Sequence, residues 1–418
     1  MKKKIDYLVL LIGTNPLPNY VVSDLFLQNS KIKKIYLLHS IQEGNQQATC
    51  KQAKNLKSLL KIEKNFTDVT LVPINDASSA TYIYNDIKDT FDELIEKHEE
   101  KEIYIHLNYT GGTKAMSIHV YNYFKQKEYD NFKHSVYIDY SYLDARSFRL
   151  INDDNQIVYH DNSENSDLRK MVKLDFKDLV ELHGFEIMDN SNKSVPDTKN
   201  ICEAFQNLID KDQINDFYEF FNKRKILEKI EKLNTLIEDQ NFYSLFYNLP
   251  KDFALIKDGK PDKELFKNNI GKAYHFLNGI WLEYHIKNIL TKAFNEEYIN
   301  ISMDQKIKQK DWNSKSYFQI DIVLLIGYHL VGISCTRSKD KMSCKRKGFE
   351  IILRTTQIGG DEAKAIIITF ANSKRVKTLQ DELKHETGDM ISNILVLGIE
   401  DLKQNKLIEK IEEFILQD

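Results

Sequence analysis

The sequence contains little cysteine. Its 418 residues include four cysteines, and these are scattered along the chain: Cys50, Cys202, Cys335 and Cys344. They form no C-x-x-C pair and have no histidine at the spacing of a zinc site. We therefore expect reduced structural thiols and exclude both a disulfide framework and structural zinc.

Long apolar runs are also missing. The amino-terminal stretch MKKKIDYLVLLIG has the charge of a secretory signal, but Asp6 interrupts it. The apolar run from Tyr7 to Ile12 is much shorter than an export core. No other segment approaches the ~20 apolar residues that are needed to cross a bilayer. We predict a cytoplasmic protein that has no membrane partner.

A general excess of positive charge is absent, because the formal net charge is -3. Any nucleic-acid partner would therefore have to bind a local basic patch. The fingerprints G-x-x-x-x-G-K-[ST] and G-x-G-x-x-G are absent too, which weakens the case for ATP hydrolysis and dinucleotide binding. Nor is there a serine elbow for hydroxyl-imidazole-acid catalysis.

The length and the pattern of the chain predict several domains. From residue 1 to about residue 160, apolar strands alternate with helical segments, which is typical of a parallel, doubly wound α/β sheet. Residues 161–265 have apolar residues at helical spacing and indicate a small helical connector. Residues 266–418 indicate a helix, two strands, a Lys-rich helix and a further strand, which predicts a second α/β domain.

Two loops of the first domain are candidate ligand sites, because doubly wound sheets bind ligands beyond the carboxyl ends of their strands. One loop lies in IGTNPLPN and the other in NYTGGTKAMS. In the second, Gly111 and Gly112 would let backbone N–H groups approach an anion. The helix that begins near Thr113 has a positive end, and Lys114 adds a charge. The alternative is a strand-to-helix turn with a threonine cap and no ligand.

The motif NYTGGTKAMS after an apolar strand resembles the ligand loop of CARF domains, the Rossmann-like sensors of type III CRISPR systems. This resemblance implies that the ligand is a cyclic oligoadenylate bound across a homodimer. A four-membered ring, cyclic tetra-adenylate, suits two-fold symmetry. The resemblance also implies a set of ligand contacts: Thr14, Asn15, Thr110, Gly111, Gly112, Thr113 and Lys114, with His39, Ser40 and Thr49 as weaker candidates.

The last domain contains residues suited to metal-dependent phosphodiester hydrolysis, which needs carboxylate oxygens and a nearby cation. Glu283 lies in the predicted helix, in WLEYH, and Asp321 in the strand FQIDIVLL. A carboxylate inside an apolar strand is unfavourable unless it is paired or bound to a metal. Lys347 and Glu350 share one face of the Lys-rich helix because they are three residues apart.

This order of helix, strand with aspartate, second strand and helix resembles the PD-(D/E)xK nuclease fold. The resemblance implies that Mn or Mg binds to Glu283, Asp321 and Glu350, and that Lys347 is the catalytic lysine. Lys345 is a rival for the lysine.

One departure from the nuclease pattern matters. Where that family usually has Glu-x-Lys at the end of the second strand, this chain has Ser334, Cys335 and Thr336. The acid and the lysine would then be displaced onto the neighbouring helix.

A purely structural interpretation of the same residues stays open. Glu283 would be a surface residue, Asp321 would pair with Arg337, and the lysine run would be a solvated helix face. Against it, a cluster of cations lies within eleven positions of an otherwise acidic chain, as a polyanionic substrate would require: Arg337, Lys339, Lys341, Lys345, Arg346 and Lys347.

The combination of the two domain types resembles the CARF nucleases that cyclic tetra-adenylate activates. The first hypothesis is therefore a homodimeric, metal-dependent endonuclease that cleaves DNA and/or RNA once a cyclic oligoadenylate binds. A second is a ligand-responsive regulator that binds nucleic acid through a degenerate nuclease fold. A third is a sensor domain that slowly cleaves its own activator.

Overall fold

The chain is described by a computed structural model that covers residues 4–41, 48–128, 135–159, 166–188, 196–224, 230–233, 242–310, 316–388 and 393–416. Strands and helices are mixed throughout, as the α/β prediction requires. Within these ranges no helix is both long and apolar enough to span a bilayer.

The first domain alternates strands and helices. In chain order its elements are β1 (Tyr7–Leu11), α1 (Leu17–Asn29), β2 (Lys34–Ser40), α2 (Cys50–Lys64), β3 (Val69–Ile74), α3 (Ala80–Glu96), β4 (Glu102–Asn108), α4 (Lys114–Lys127), β5 (Ser135–Asp144) and β6 (Arg149–Asn152). The sheet order is β3-β2-β1-β4-β5-β6. Strands β1 to β5 run parallel, and β6 pairs antiparallel with β5.

Strand β1 lies at the centre of this sheet and is covered on both faces. Residues Leu8 to Leu11 are completely buried, which explains why β1 is an unbroken apolar run and not an alternating one. Helix α1 is also buried along most of its length. Two of its buried polar side chains donate to backbone carbonyls: Asn19 Nδ2 donates to Leu11 O of β1, and Ser23 Oγ donates to Asn19 O.

The middle of the chain is mostly helical. Its elements are α5 (Leu168–Met171), α6 (Phe176–Leu182), β7 (Phe185–Ile187), α7 (Lys199–Asp210), α8 (Ile214–Arg224), α9 (Tyr243–Tyr247), and the short hairpin strands β8 (Ile256–Lys257) and β9 (Lys260–Pro261). Strand β7 pairs with a strand of the second domain and forms the edge of its sheet. The segment that we predicted as a helical connector therefore contributes to the second sheet.

The second domain begins with a helix that is interrupted once. Its elements are α10 (Lys263–His275), a π-helical turn (Phe276–Ile280), α11 (Trp281–Ala293), β10 (Ile299–Gln309), β11 (Phe318–Ile326), β12 (His329–Cys335), α12 (Lys341–Gly359), β13 (Lys364–Ile368), α13 (Ser373–Thr387), β14 (Ile394–Leu397) and α14 (Gln404–Leu416). The sheet order is β14-β13-β12-β11-β10-β7. Strands β12, β13 and β14 are parallel, while β7, β10, β11 and β12 are antiparallel.

The two domains share one hydrophobic core. A single cluster of buried side chains includes Leu8 and Leu10 of β1 as well as Leu330 of β12 and Ile351 and Ile358 of α12. A second cluster covers the other face of the second sheet and joins α7, α8 and α11 to it. Because close-packed cores transmit small displacements, the first domain is mechanically connected to helix α12.

Candidate functional site

The loops that follow β1 and β4 meet at the switch point of the first sheet. From β1 the chain moves to β2 and β3 on one side and later returns to β4 on the other. Ligands of doubly wound sheets bind at such a point. The two loops touch here, since a Cβ added at Gly13 would lie 3.3 Å from the backbone nitrogen of Gly112. The sequence-predicted loops are thus neighbours.

Both glycines of the second loop are required by local geometry. A Cβ at Gly111 would lie 2.1 Å from the carbonyl oxygen of Leu11, and Gly112 has a φ of +76°. The first position therefore has no room for a side chain, and the second has a conformation that favours glycine. These constraints bring the loop backbone against the end of β1 whether or not a ligand is bound.

Threonines secure the same loop. Thr113 is the N-cap of α4: its Oγ1 accepts from the Met116 N–H and donates to Ala77 O. Thr110 Oγ1 accepts from the Leu143 N–H over 2.7 Å. Lys114, at the start of α4, is exposed, and no ion pair in the described part of the chain involves it. The loop therefore presents a capped helix terminus and an available cation, which suits an anion.

The weaker candidates His39, Ser40 and Thr49 are buried. Ser40 and Thr49 bond to each other twice through backbone N–H groups, from Ser40 N to Thr49 Oγ1 at 3.0 Å and from Thr49 N to Ser40 Oγ at 3.1 Å. His39 Nδ1 lies 3.2 Å from Ser40 O. These side chains fix the end of β2 and the start of α2.

Asn15 has an additional set of contacts. Its Oδ1 accepts from the Leu17 N–H at 3.0 Å and lies 3.1 Å from His183 Nε2. Its Nδ2 faces Gly360, just after α12. Asn15 thus connects the loop after β1 with the second domain, whereas Thr14 beside it is exposed.

In the second domain, Asp321 is the best-supported acid. It lies near the start of β11 and is only 7% exposed. Its Oδ2 accepts from Ser334 Oγ at 3.1 Å and from the Cys335 N–H at 2.8 Å. Ser334 and Cys335, which replace the expected Glu-x-Lys, therefore hold the carboxylate in place. Burial raises the pKa of Asp321, and these hydrogen bonds and the charge of Lys347 oppose the rise.

Glu283 reaches the same place from α11. Burial, then the charges of Asp321 and Asp304, raise its pKa to about 8, while Lys347 acts in the opposite direction. Asp304 is an acid that the sequence analysis missed. It has a φ of +52°, and the β10–β11 ladder pairs the residues on either side of it but skips Asp304 opposite Asp321. The chain thus accepts a strained backbone where a third carboxylate approaches the site.

Helix α12 brings Lys347 and Glu350 to this cluster. The charge of Lys347 lowers the pKa of Glu283 and Asp321, and the charge of Glu350 raises that of Asp321. Lys345 instead forms ion pairs with Glu382 and Glu386 of α13. These contacts favour Lys347 over Lys345 as the lysine of the site.

The purely structural interpretation pairs Asp321 with Arg337, and the contacts of Arg337 do not support this pairing. Arg337 donates through Nε to Asn278 O and through Nη2 to Asn278 Oδ1, and its guanidinium stacks 3.8 Å from the ring centroid of Tyr218. It thereby supports the π-helical turn just before α11. The hydrogen bonds to Asp321 come from Ser334 and Cys335 instead.

The donor set suits Mg or Mn, which prefer oxygen ligands and are commonly held by one or two carboxylates together with water and substrate phosphate. Within the described ranges no three Asp, Glu, His or Cys side chains are close enough together to enclose a metal ion. Glu283 is partly buried and Asp321 is buried, and the charge of Asp321 raises the pKa of Glu283. A divalent cation between them would remove that repulsion.

The order of elements in the second domain is that of the predicted nuclease fold: helix α11, the antiparallel strands β10, β11 and β12, helix α12, and then β13 parallel to β12. Asp321 lies in the central antiparallel strand, and Glu283 lies in the preceding helix. The predicted restriction-endonuclease-like α/β fold is confirmed.

Comparisons with known proteins agree with this description. Residues 7–163 match the family described as the Card1 CARF domain. No curated protein matches the chain. Protein VC1899 from Vibrio cholerae is similar with a TM-score of 0.65 and 14% identity, covering 98% of each chain. Can2 from Sulfobacillus thermosulfidooxidans, solved in complex with cyclic tetra-adenylate, is similar with a TM-score of 0.59 and 15% identity, covering 97% of this chain and 96% of that one. At such identities these structures show the fold alone.

The close contact at Gly111 leads to a stability prediction. Gly111→Ala should destabilise the protein by about 1–3 kcal/mol, because a Cβ cannot fit beside Leu11 O without moving one of the two loops. Gly271→Ala is the control: Gly271 lies in α10, and an added Cβ there meets no atom within 4 Å. This control should stabilise by roughly 0.5–1 kcal/mol. Denaturant midpoints measure both, and an unchanged midpoint for Gly111→Ala would contradict the tight packing.

Proposed function

We propose that the chain is a metal-dependent endonuclease activated by a cyclic oligoadenylate in type III CRISPR defence, on the premise that residues 7–163 match the Card1 CARF domain family. The observation that carries the proposal is the pairing of two sites in one chain. A loop with backbone N–H groups and an exposed lysine lies at the switch point of the first sheet, and a carboxylate–lysine cluster lies where β11 begins and β12 ends in the second sheet.

The activator is a ring of four adenylates bound by two copies of the chain. Can2, which shares the fold, was solved with cyclic tetra-adenylate, and a four-membered ring matches the symmetry of a homodimer. Backbone N–H groups at Gly111 and Gly112 and the Lys114 ammonium would bind its phosphates. Thr14, Thr110 and Thr113 border the same surface.

At the nuclease site, Glu283 and Asp321 would hold Mg or Mn, and Glu350 would complete the ligand set after a movement of helix α12, since no three acids of the described residues are close enough together in the structure. The metal would supply Lewis-acid activation of the phosphate and of the attacking water. Lys347, whose charge already acts on Glu283 and Asp321, stabilises the negative charge that develops on the phosphate. Ser334 and the Cys335 N–H fix the orientation of Asp321.

A basic groove supports a nucleic-acid substrate, DNA and/or RNA. It encloses about 480 Å³ between the beginnings of α12 and α13, and its cations include Lys339, Lys374 and Arg375. All three are exposed, and no ion pair in the described part of the chain involves them. Lys339 lies four residues after Cys335, whose N–H bonds to Asp321. The groove therefore begins near the end of β12 where Asp321 is held. Phosphates that enter the groove would lie beside the carboxylates.

A regulator without catalysis remains the alternative candidate. It is favoured by Ser334 and Cys335 standing where the related fold has Glu-x-Lys. Such a protein would shift nucleic acid in gels in response to the activator, with or without metal, and would leave every strand intact.

The carboxylate cluster predicts a loss of cleavage when Asp321 is neutralised. Asp321→Asn should reduce cleavage in the presence of Mn and cyclic tetra-adenylate by at least about 100-fold, because one buried metal-binding charge is lost. Removing the metal with EDTA should abolish cleavage by the wild type, and adding Mn should restore it. The control is Asp381→Asn, which removes an exposed carboxylate of α13. Equal cleavage by Asp321→Asn and wild type would rule out this site.

The basic groove predicts a defect in substrate binding. Lys374→Glu should raise KM on the order of ten-fold and leave kcat within about two-fold, because phosphate contacts position the strand without taking part in the reaction. The slope of log affinity against log salt should fall by about one. Lys57→Glu, an exposed lysine of α2 in the first domain, is the matched control. If both variants change KM equally, the groove is not the substrate surface.

A further inference from the structure

The loop after β1 contacts the second domain through one side chain. The Asn15 amide lies between three groups: the Leu17 N–H, the His183 ring and the backbone of Gly360. A Cβ added at Gly360 would lie only 2.0 Å from Asn15 Nδ2. The amide is therefore packed directly against the chain that leaves helix α12.

The backbone around Gly360 has little conformational freedom, so a displacement of this residue would be passed on to helix α12. The φ of Gly360 is +79°, its N–H donates to Thr356 O at 3.0 Å, and it is buried. Few other residues tolerate this conformation. A displacement of Asn15 would therefore act on the end of α12 with little absorbed by local bending.

Helix α12 is fitted closely to the sheet along its length. A Cβ added at Gly332 would lie 2.1 Å from Thr355 Cγ2, and one added at Gly348 would lie 2.8 Å from Ile367 Cδ1 of β13. Such a helix moves as a unit. Glu350 and Lys347 lie ten and thirteen residues before Gly360, which is about 15–20 Å along the helix axis.

The contact between Asn15 and His183 cannot be fully satisfied while the imidazole is neutral. Burial lowers the pKa of His183 to about 4, so the ring carries one proton near neutrality. Its Nδ1 lies 2.9 Å from Leu179 O, where it must donate. Nε2 then presents a lone pair to Asn15 Oδ1. If the amide were rotated by 180°, Nδ2 would face the Leu17 N–H, and two hydrogen-bond donors would lie opposite each other. One contact is unfavourable in either orientation, so the arrangement is held weakly.

We propose that Asn15 is the positioning residue that couples the activator loop to the nuclease site. Its amide is packed against Gly360, at the end of α12. Activator bound to the neighbouring loop residues would draw Asn15 away from His183 and Gly360. Helix α12 would then be free to carry Lys347 and Glu350 into their cleaving positions. This inference rests on the proposed function, and it assigns Asn15 to signal transmission where the family resemblance implies a ligand contact.

The test separates activator binding from activator response. Calorimetric titration gives the Kd for cyclic tetra-adenylate, and cleavage of labelled DNA and RNA with Mn gives the ratio of rates with and without saturating activator. Asn15→Ala should keep Kd within about two-fold while this ratio falls by about ten-fold or more. Thr14→Ala is the control, because it alters the adjacent exposed residue of the same loop. It should weaken binding and keep the full ratio at saturation.

A second variant tests the contact from the other side. His183→Ala should also reduce the ratio, because it removes the ring against which the Asn15 amide lies. Both substitutions remove the same contact, so the double variant should respond no worse than Asn15→Ala alone. Thermal melting of every variant confirms that the chain is folded.

Each outcome has one meaning. If no cyclic oligoadenylate increased the cleavage rate of the wild type, the proposed function itself would be wrong. If the activator increased the cleavage rates of the wild type and of Asn15→Ala equally, only this inference would be wrong. So would an Asn15→Ala variant that binds weakly but responds fully at saturation, since Asn15 would then be a ligand contact. Additive losses in the double variant would also overturn it.

Discussion

The second domain is built around an electrostatic conflict, the mutual repulsion of carboxylates that it places in a poorly solvated position. Glu283, Asp321 and Asp304 come from a helix and two strands. Burial first, and then the charges of Asp321 and Asp304, raise the pKa of Glu283 to about 8. Burying like charges without a partner is unfavourable. The fold offsets part of this through two hydrogen bonds to Asp321 and through the charge of Lys347. A bound divalent cation would offset the rest.

The first domain has the opposite character. Its loops present backbone N–H groups and a lysine at the switch point of a parallel sheet, with glycines where the backbone of one loop meets the end of β1. These glycines are needed for packing alone. The same close packing brings the ends of β1 and β4 together and leaves the loop amides near the surface. The structural interpretation of the Gly pair and the ligand-binding interpretation are therefore compatible.

Several features could be predicted from the sequence. The apolar strands β1 to β5 and the strands β11 and β12 carry runs of buried residues, and the confirmed α/β fold follows from them. Strand β10 could not be predicted in the same way, because MDQKIKQ is polar and most of its side chains are only partly buried. Asp304 was missed with it. Strand β7 has three residues, and only pairing with distant β10 makes it a strand.

Tertiary contacts also determine the roles of single residues in ways that the local sequence does not indicate. Nothing local distinguishes Asn15 from Thr14 as a loop residue, yet one reaches His183 and Gly360 and the other faces solvent. Likewise Lys345 and Lys347 lie on the same helix but have different neighbours: Lys345 pairs with Glu382 and Glu386 of α13, whereas the charge of Lys347 acts on Glu283 and Asp321. Ser334 and Cys335 looked like a loss of catalytic groups, and the structure shows them orienting Asp321.

The central claim is that occupancy of the first domain controls cleavage by the second. The most direct measurement is a stoichiometric titration of the protein with cyclic tetra-adenylate, in which ring binding and the cleavage rate are followed in the same samples. The account predicts that the rate rises in proportion to bound ring and stops rising at one ring per two chains. A rate that stays constant while the ring binds, or that continues to rise up to one ring per chain, would contradict it.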